Sequence, residues 1–430
     1  MATAPANTPA QTPTQVADQL YREVYGQLVA SLVSFFGLPN IELAQDLARE
    51  TFLAALQHWP HTMPDNPKAW LFRVCKNKAL NHLQQQSGRQ ELLSTSGYVQ
   101  DANHQRYTLS RLFLDHEIQD NQLRLLFALC HPSLQPKAQV VLTLRIMAGF
   151  KVPEIARGLG MTVEAVKKTL VRARKAIKEQ GRPLKVPYLM QSVQRLQQVH
   201  AVLYLMFNEG YSASNGNEVI RAELCYEAMR LTKALLALQQ LATTETQALF
   251  ALMLLNMARF EARTDASGAL IGLEHQNRQL WHQPSIQTAY HYLQQARSGN
   301  RLSRYHIEAA IASIHCAAPT FAATDWCAIV KLYNQLLKFQ PSAYVQLNRC
   351  IALAQCQGPE VAINNLQHAP WAASLQNYYL YHSTLGKLYQ QCGQLQAARA
   401  AFATAATLTN LPAEQQYLEQ LIQHTIAHKP

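Results

Sequence analysis

Apolar residues recur about every 3.6 positions through most of this 430-residue chain, a period typical of amphipathic helices. The clearest stripe lies between residues 163 and 177, where basic residues occupy the other helix faces. Thr162 is a predicted N-cap for this helix, and Glu164 in its first turn is favourable to the helix dipole. The pattern predicts an all-α fold. The apolar stripe consists of Val163, Val166, Leu170, Ala173 and Ile177.

A shorter helix is predicted immediately before this one. Pro153 suits its first turn, and Ile155 and Ala156 are expected to face a core. Gly158 and Gly160 would provide a sharp exit, so that the two segments form a helix–turn–helix with a basic extension to Arg182. From this segment alone, a recognition helix in a major groove and an ordinary surface helix with solvated lysines are equally good interpretations.

Positive charge is concentrated around this helix–turn–helix. The sequence holds 38 Lys and Arg against 27 Asp and Glu, a formal net charge of +11. Residues 136–185 alone hold 12 basic and 3 acidic residues, whereas residues 186–430 hold 16 and 13. Neutralisation of phosphates requires such clustering, so the charge distribution favours nucleic acid binding.

The chain divides into five predicted segments, in which two small helical domains precede an α-helical solenoid or bundle. Residues 1–18 form a polar tail that is expected to be disordered, and residues 87–117 form a polar linker. Residues 19–86 form the first helical domain, residues 118–185 carry the helix–turn–helix, and residues 186–430 form the larger helical array.

Residues 41–59 of the first domain predict a helix with two different faces. Ala44, Ala48, Phe52 and Ala55 share the face for burial, and Asp46, Arg49 and Glu50 share the other. Prolines in the loop 60–66 exclude a continuous helix, and Asn66 is a predicted cap for the next helix. That helix presents Phe72, Ala79 and Leu83 for burial and leaves Arg73, Lys76 and Lys78 available to a partner.

No chemistry of the chain's own is predicted. The eight cysteines are scattered without a CxxC pair, so buried free thiols are expected, with neither a disulfide nor a zinc site. The histidines lack metal-ligand spacing, and no phosphate loop or nucleophile elbow occurs, which predicts a non-enzyme without cofactor. The N-terminus is unlike a secretory signal and the apolar runs are too short to span a bilayer, so a soluble cytoplasmic protein is expected.

Motifs in a fixed order make a resemblance specific. AQDLARETF and NPKAWLFRVCKNKAL precede a variable linker, which is followed by PEIARGLGMTVEAVKKTLVRAR. This order resembles region 2, linker and region 4 of an extracytoplasmic-function (ECF) sigma factor of the sigma-70 family. LRLLFALCHPSL, LMFNEGYSAS and LEHQNRQLW further resemble the ECF subgroup with a long C-terminal extension of tetratricopeptide-repeat (TPR) type.

The resemblance implies that core RNA polymerase and promoter DNA are the partners. Region 2 would bind the β′ clamp, and region 4 the β flap. The loop ending in Asp65 and Asn66 would accept a flipped base of the melted −10 non-template strand, while Arg73, Lys76 and Lys78 would hold its backbone. Polymerase-binding residues would be Asp46, Arg49 and Glu50. Core packing is the preferred interpretation of Phe52 and Trp70.

Region 4 would place the helix from Thr162 to Lys178 in the major groove of the −35 element. Lys167 and Lys168 are best placed for base edges. Phosphates would be nearer to Arg172, Arg174 and Lys175, and the predicted −35 surface also includes Thr162 and Glu164.

Some positions depart from the family pattern. Gln45 stands where Glu is usual, Arg49 where Gln is usual, and Asn81 where Asp is common. Glutamines at 84–86 replace an Arg-rich run, which should weaken non-specific grip on DNA. Salt-sensitive, promoter-selective activity is therefore expected.

The C-terminal half contains a TPR-like pattern at residues 383–412 and a weaker copy at 341–366. Stacked helix pairs of this kind present a concave surface to a protein or peptide partner. Four polar clusters in this half could line a ligand pocket, but caps and inter-helix hydrogen bonds are the favoured interpretation. The clusters are Asn208–Tyr211, Ala262–Asp265, Glu274–Trp281 and Thr324–Trp326.

Three functions are compatible with these features. The first is a sigma subunit that guides core polymerase to promoters, and the second is a helix–turn–helix regulator with a TPR sensor that does not join polymerase. The third is a TPR scaffold whose basic domain merely attaches to nucleic acid. Only the first requires the Asp46 helix and the loop after it.

Overall fold

A computed structural model describes residues 12–91, 107–159, 161–179, 189–211, 222–265, 271–299, 301–409 and 412–427. Within these ranges every regular element is a helix, which confirms the all-α prediction. The chain forms two compact units, of which the first contains residues 1–156 and 161–205 and the second contains residues 157–160 and 206–430.

Eight helices lie before or across the unit boundary in the described part of the chain, and the helix–turn–helix comes near their end. A 3₁₀ turn, Leu38–Asn40, precedes the second helix, and residues 107–112 are also helical. The helices are α1 (Pro13–Phe36), α2 (Ile41–His58), α3 (Pro67–Glu91), α4 (Asp115–Leu129), α5 (Pro136–Ile146), α6 (Val152–Gly158), α7 (Val163–Glu179) and α8 (Leu189–Tyr211).

The second unit continues as consecutive helices with short breaks, several of which contain 3₁₀ turns. These turns are Phe260–Ala262, Leu273–His275, Arg278–Leu280 and Pro370–Leu375. The helices are α9 (Ala222–Leu236), α10 (Thr244–Met257), α11 (Gln283–Ala296), α12 (Arg304–Ala317), α13 (Trp326–Phe339), α14 (Ala343–Gln357), α15 (Pro359–His368), α16 (Tyr379–Gln391), α17 (Leu395–Leu408) and α18 (Pro412–Ala427).

The predicted tail and linker are shorter than the sequence suggested. Residues 1–11 and 92–106 lie outside the described residues. Helix α1 begins at Pro13, because Thr12 and Gln15 form a reciprocal capping box that satisfies the first backbone N–H groups. The last residues of the predicted tail are therefore helical. Both ends of the predicted linker are helical as well, since α3 continues to Glu91 and α4 begins at Asp115.

A close approach of backbones fixes the end of α5 against α1 in the first unit. A β-carbon placed on Gly26 of α1 would lie 1.9 Å from the carbonyl oxygen of Met147, so only glycine fits there. Gly149, two residues after Met147, adopts a φ of +70° beside the rings of Tyr21 and Tyr25. The helices that carry region-4-like sequence are thus packed directly on the first helix of the chain.

The apolar stripe of α7 is one residue shorter than predicted. Its buried members recur at helical spacing, and Val163 at the start of the helix is 37% exposed. Val163 lies in the first turn, just after the N-cap, where the helix has not yet reached the core. The buried members are Val166, Leu170, Ala173 and Ile177.

The prediction that no disulfide exists is wrong. Cys327 and Cys356 are bonded, with their Cα atoms 5.1 Å apart. Cys327 lies at the start of α13 and Cys356 at the end of α14, and these two helices pack against each other. Helix pairing brings together two cysteines that are 29 positions apart in sequence, which spacing motifs do not reveal. The other cysteines are free, and most of them are buried.

Candidate functional site

Helix α2 carries Asp46 and Glu50 on its exposed side. Arg49 Nη1 donates to Asp46 Oδ1 at 2.9 Å, and Lys78 Nζ of α3 donates to Glu50 Oε2 at 3.2 Å. The structure therefore brings these four predicted site residues onto one surface. Their charges are partly paired with each other, but the pairs are solvent-exposed and weak, so a partner can replace them at little cost.

The loop between α2 and α3 is held at both ends. The Asn66 side chain accepts a hydrogen bond from the Ala69 amide at 3.0 Å, so Asn66 caps α3 as predicted. Trp70 stacks on His58 and meets the buried Trp59 edge-on, with ring centroids 5.8 and 5.6 Å apart. Asp65 is exposed within this loop. The loop thus presents a polar tip on a rigid aromatic base.

Core packing is the correct interpretation of Phe52, which is buried and packs edge-on against Tyr21. The basic residues of α3 differ in accessibility. Arg73 is exposed, whereas Lys76 is half-buried and Lys78 is half-buried beside Glu50. Arg73 is accordingly the most accessible of the three predicted backbone-binding side chains.

Helix α7 begins at the predicted cap. Thr162 Oγ1 accepts from the Ala165 amide at 3.1 Å, and Glu164 Oε1 accepts from Lys167 Nζ at 2.8 Å. The solvent side of the helix is basic over three turns, because every predicted cation except Arg174 is exposed. The exposed cations are Lys167, Lys168, Arg172 and Lys175.

Arg174 faces the first domain instead of solvent. Its guanidinium donates to Glu42 Oε1 at 3.0 Å and to Gln45 Oε1 at 3.2 Å, and Lys178 lies 3.8 Å from the same Glu42 carboxylate. Gln45 is buried and also donates to the Tyr25 hydroxyl. Sequence reasoning missed Glu42, because its partner lies 132 residues further along the chain.

Comparison with known families agrees with this geometry. Residues 20–89 match Sigma-70 region 2, and residues 124–177 match Sigma-70 region 4. The chain belongs to the sigma-70 family. Residues 195–297 of this sigma factor also match a family of unknown function (DUF6596). An uncharacterized protein of Rhizobium meliloti (strain 1021) is 36% identical over 389 residues, which cover 90% of this chain and 91% of that protein. No solved structure matches.

Sigma-70 factors are non-catalytic promoter-specificity subunits of RNA polymerase, so core polymerase and promoter DNA are the partners of this sigma factor. Region 2 ends within α3, and region 4 ends within α7. The structure also shows where Gln45 lies, which stands at a position where Glu is usual in the family. Gln45 does not lie on the exposed face beside Asp46, because it is buried between Tyr25 and Arg174.

Several residues of the polar clusters in the second unit form caps and inter-helix links, as the favoured interpretation expected, whereas Glu274 and Trp326 line a cavity. Arg263 lies over the Tyr211 ring, 3.8 Å from its centroid, and donates to the Tyr211 carbonyl. Arg278 stacks on Trp281 and donates to the Ala318 carbonyl at 2.7 Å. The Asp325 carboxylate caps α13 through the Ala328 amide.

Two buried thiols lie within the residues that match sigma regions 2 and 4. Burial raises the pKa of the Cys75 and Cys130 thiols to about 12, which leaves both protonated and unreactive. In the parts of the chain that the structure describes, no group of three His, Cys, Asp or Glu side chains could hold a metal ion. Among the same residues, no helix is long and apolar enough to cross a membrane.

Proposed function

We propose that this chain is a sigma factor of the ECF type, which directs core RNA polymerase to promoters, melts promoter DNA and is regulated by its own C-terminal domain. The observation that carries the proposal is the spacing of the two family matches. Only residues 90–123 separate region 2 from region 4. Such a short, two-module layout is what the ECF resemblance implies. The protein would work in the cytoplasm, without a membrane partner.

Region 2 would bind the β′ clamp through Asp46, Arg49 and Glu50. The exposure of both carboxylates on one side of α2 supports this role. Their partners Arg49 and Lys78 are exposed or half-buried cations that lose little when a polymerase side chain displaces them. Region 4 would contact the β flap.

The −10 element would be held by the loop and by α3. A flipped base needs a rigid pocket, and the stacking of Trp70 on His58 supplies rigidity beside Asp65 and Asn66. Arg73, with Lys76 and Lys78, would then neutralise the backbone of the melted non-template strand.

The −35 element would be read by α7. An N-capped helix with one buried stripe and an exposed basic side suits insertion into a major groove. Lys167 and Lys168 lie nearest the helix start, where base edges are reached, together with Thr162 and Glu164. Arg172, Arg174 and Lys175 follow along the helix toward phosphates.

The C-terminal domain, residues 186–430, would form TPR-like helix pairs that regulate transcription and bind a protein or peptide. Consecutive helices such as α16 and α17 pack closely, which supports this proposal. A β-carbon on Gly386 would lie 2.5 Å from the Phe402 ring, as expected for the small and large positions of a repeat.

Recovery of core polymerase tests the proposal. The full chain, wild type or Asp46→Arg, is immobilised and incubated with core RNA polymerase. Glu23→Arg is the matched control, since Glu23 is also an exposed region 2 carboxylate with a basic neighbour, Lys68 at 3.4 Å. We expect Asp46→Arg to lose polymerase and Glu23→Arg to retain it. Equal recovery by Asp46→Arg and wild type would reject the proposal.

Run-off transcription on genomic fragments provides the second readout. The wild-type chain should direct initiation with core polymerase, and Asp46→Arg should not. A chain that binds these fragments but never recruits polymerase would instead be the helix–turn–helix regulator.

A further inference from the structure

The second unit contains a cavity that the sigma assignment does not use. Its volume is about 450 Å³, within the range of small-molecule sites. Helices α13, α14 and α16 form most of the wall, and the 3₁₀ turn Leu273–His275 closes one side. All of the lining residues belong to the second unit, so the cavity is independent of regions 2 and 4.

One part of the cavity is apolar and aromatic. Trp326 packs against Phe321 and His315, with ring centroids 4.8 and 5.2 Å apart. The indole N–H donates to the Phe321 carbonyl at 3.3 Å, so the polar atom of the ring is already satisfied. Ile329 and Leu388 extend this wall. The indole ring therefore offers contact area to an apolar body without needing a further partner for its own N–H group.

Another part of the cavity carries an ion pair. Lys387 Nζ donates to Glu274 Oε1 at 2.5 Å, although the two residues lie 113 positions apart in sequence. About two thirds of each side chain is buried. The Lys387 ammonium also lies 5.5 Å from the Tyr417 ring centroid. Removing both charges from water is costly. The pair nevertheless faces a cavity, where it presents a fixed donor and a fixed acceptor.

Charges on the described wall cancel. Glu274 and Lys387 are the only carboxylate and ammonium among the lining residues. Burial, reinforced by Arg259 and Arg278, lowers the pKa of His315 to about 4, so this imidazole is neutral near pH 7. A ligand with a net charge would therefore lose its hydration without meeting an uncompensated opposite charge among the lining side chains.

We propose that this cavity binds an uncharged organic molecule of metabolite size. Its apolar, ring-containing body lies against Trp326 and Ile329. A single group with both hydrogen-bond donor and acceptor, such as a secondary amide, meets the Glu274–Lys387 pair. The proposal goes beyond the sigma function and holds whether or not the chain joins polymerase.

Two fluorescent probes that differ by one charged group test the ligand class. N-phenyl-1-naphthylamine is uncharged and carries an N–H, and 8-anilino-1-naphthalenesulfonate has the same rings with an added sulfonate. Each is titrated into the full chain, and emission is recorded. We expect saturable binding of the uncharged probe at one site, and at least about tenfold weaker binding of the sulfonate, which is 1.4 kcal/mol.

Variants locate the site. Ile351 and Leu380 line the cavity and are 40% and 38% exposed, so Ile351→Trp and Leu380→Trp fill it from the mouth without disturbing the buried core. Val361, also 38% exposed, lies outside the cavity, and Val361→Trp is the matched control. Circular dichroism confirms the fold of each variant. The filling variants should weaken the uncharged probe at least about tenfold, and the control should not.

The two filling substitutions lie on different helices. If one variant fails to fold, the other still tests the proposal. Absence of saturable binding would overturn the proposal. So would unchanged affinity in a folded filling variant, or a sulfonate that binds as tightly as the uncharged probe. Lys387→Met, which keeps the apolar stem but leaves the Glu274 carboxylate without its counter-charge, should increase the preference for the uncharged probe over the anionic sulfonate.

Discussion

Glu42→Gln should increase the affinity of the full chain for duplex DNA. In the wild-type chain the Arg174 guanidinium is bonded to Glu42 at 3.0 Å and to Gln45 at 3.2 Å, so it is directed away from solvent. If Arg174 contacts a phosphate when α7 enters a major groove, these bonds must break first. The free energy needed to break these bonds opposes DNA binding. Glu42→Gln removes the ion pair with Arg174 and so lowers that free energy.

The structure limits the size of the effect. The Glu42 side chain is 51% exposed and that of Arg174 is 23% exposed, so solvent screens the pair strongly. A pair of this kind contributes about 0.5–1 kcal/mol. We therefore expect about a two- to fivefold gain in affinity.

Fluorescence anisotropy with a labelled mixed-sequence duplex, at several salt concentrations, measures this gain. Glu23→Gln is the control, because Glu23 is 49% exposed and also pairs with a lysine. In an Arg174→Ala background, the effect of Glu42→Gln should be much smaller, because only the longer contact of Lys178 with Glu42 at 3.8 Å remains to be broken, and the salt dependence should fall by about one phosphate contact. Unchanged affinity of Glu42→Gln, or an equal gain in Glu23→Gln, would refute the reasoning.

Three further predictions concern stability. Thr162→Ala removes the N-cap of α7, which should cost about 1 kcal/mol. The first amides of α7 should therefore exchange hydrogen about fivefold faster. Thr404→Ala, in the middle of a helix, should leave these exchange rates unchanged. Reduction of the Cys327–Cys356 disulfide, which spans 29 positions, should lower the free energy of unfolding of the second unit by about 3 to 4 kcal/mol. The stability of the double variant with serine at both positions should not respond to reductant. A urea midpoint of the wild type that does not change on reduction would contradict the prediction. Burial lowers the pKa of His315 to about 4 in the folded chain, so the unfolded chain binds more protons between pH 6.5 and 4. The free energy of unfolding should therefore decrease as the pH falls through that window, by about 3 kcal/mol at most. His315→Asn should flatten the dependence of the urea midpoint on pH, and an identical slope would argue against the assignment.

Local features of the fold were predictable because they depend on neighbouring residues. Helical periodicity placed the buried stripe of α7, and the caps at Thr162 and Asn66 follow from side chains that reach amides three residues away. Val163 was misplaced because periodicity does not show where a helix first meets the core. The roles in polymerase and DNA binding stay predictions that follow from the family resemblance.

Features that depend on helix packing could not be read from the sequence. The Arg174–Glu42 contact, the Cys327–Cys356 bond and the Glu274–Lys387 pair join residues that are 132, 29 and 113 positions apart. None of them lies in a recognisable spacing motif, since each pairing is created by which helices become neighbours. The cavity shares this origin, because its wall is assembled from helices and a loop of the second unit.

Substitution of Gly26 would separate two helices of the first unit. Any larger residue there would act as a wedge under the Met147 carbonyl and lever the end of α5 away from α1, without altering a single charged group. A variant of this kind would show how regions 2 and 4 behave when the contact between α1 and the end of α5 is lost.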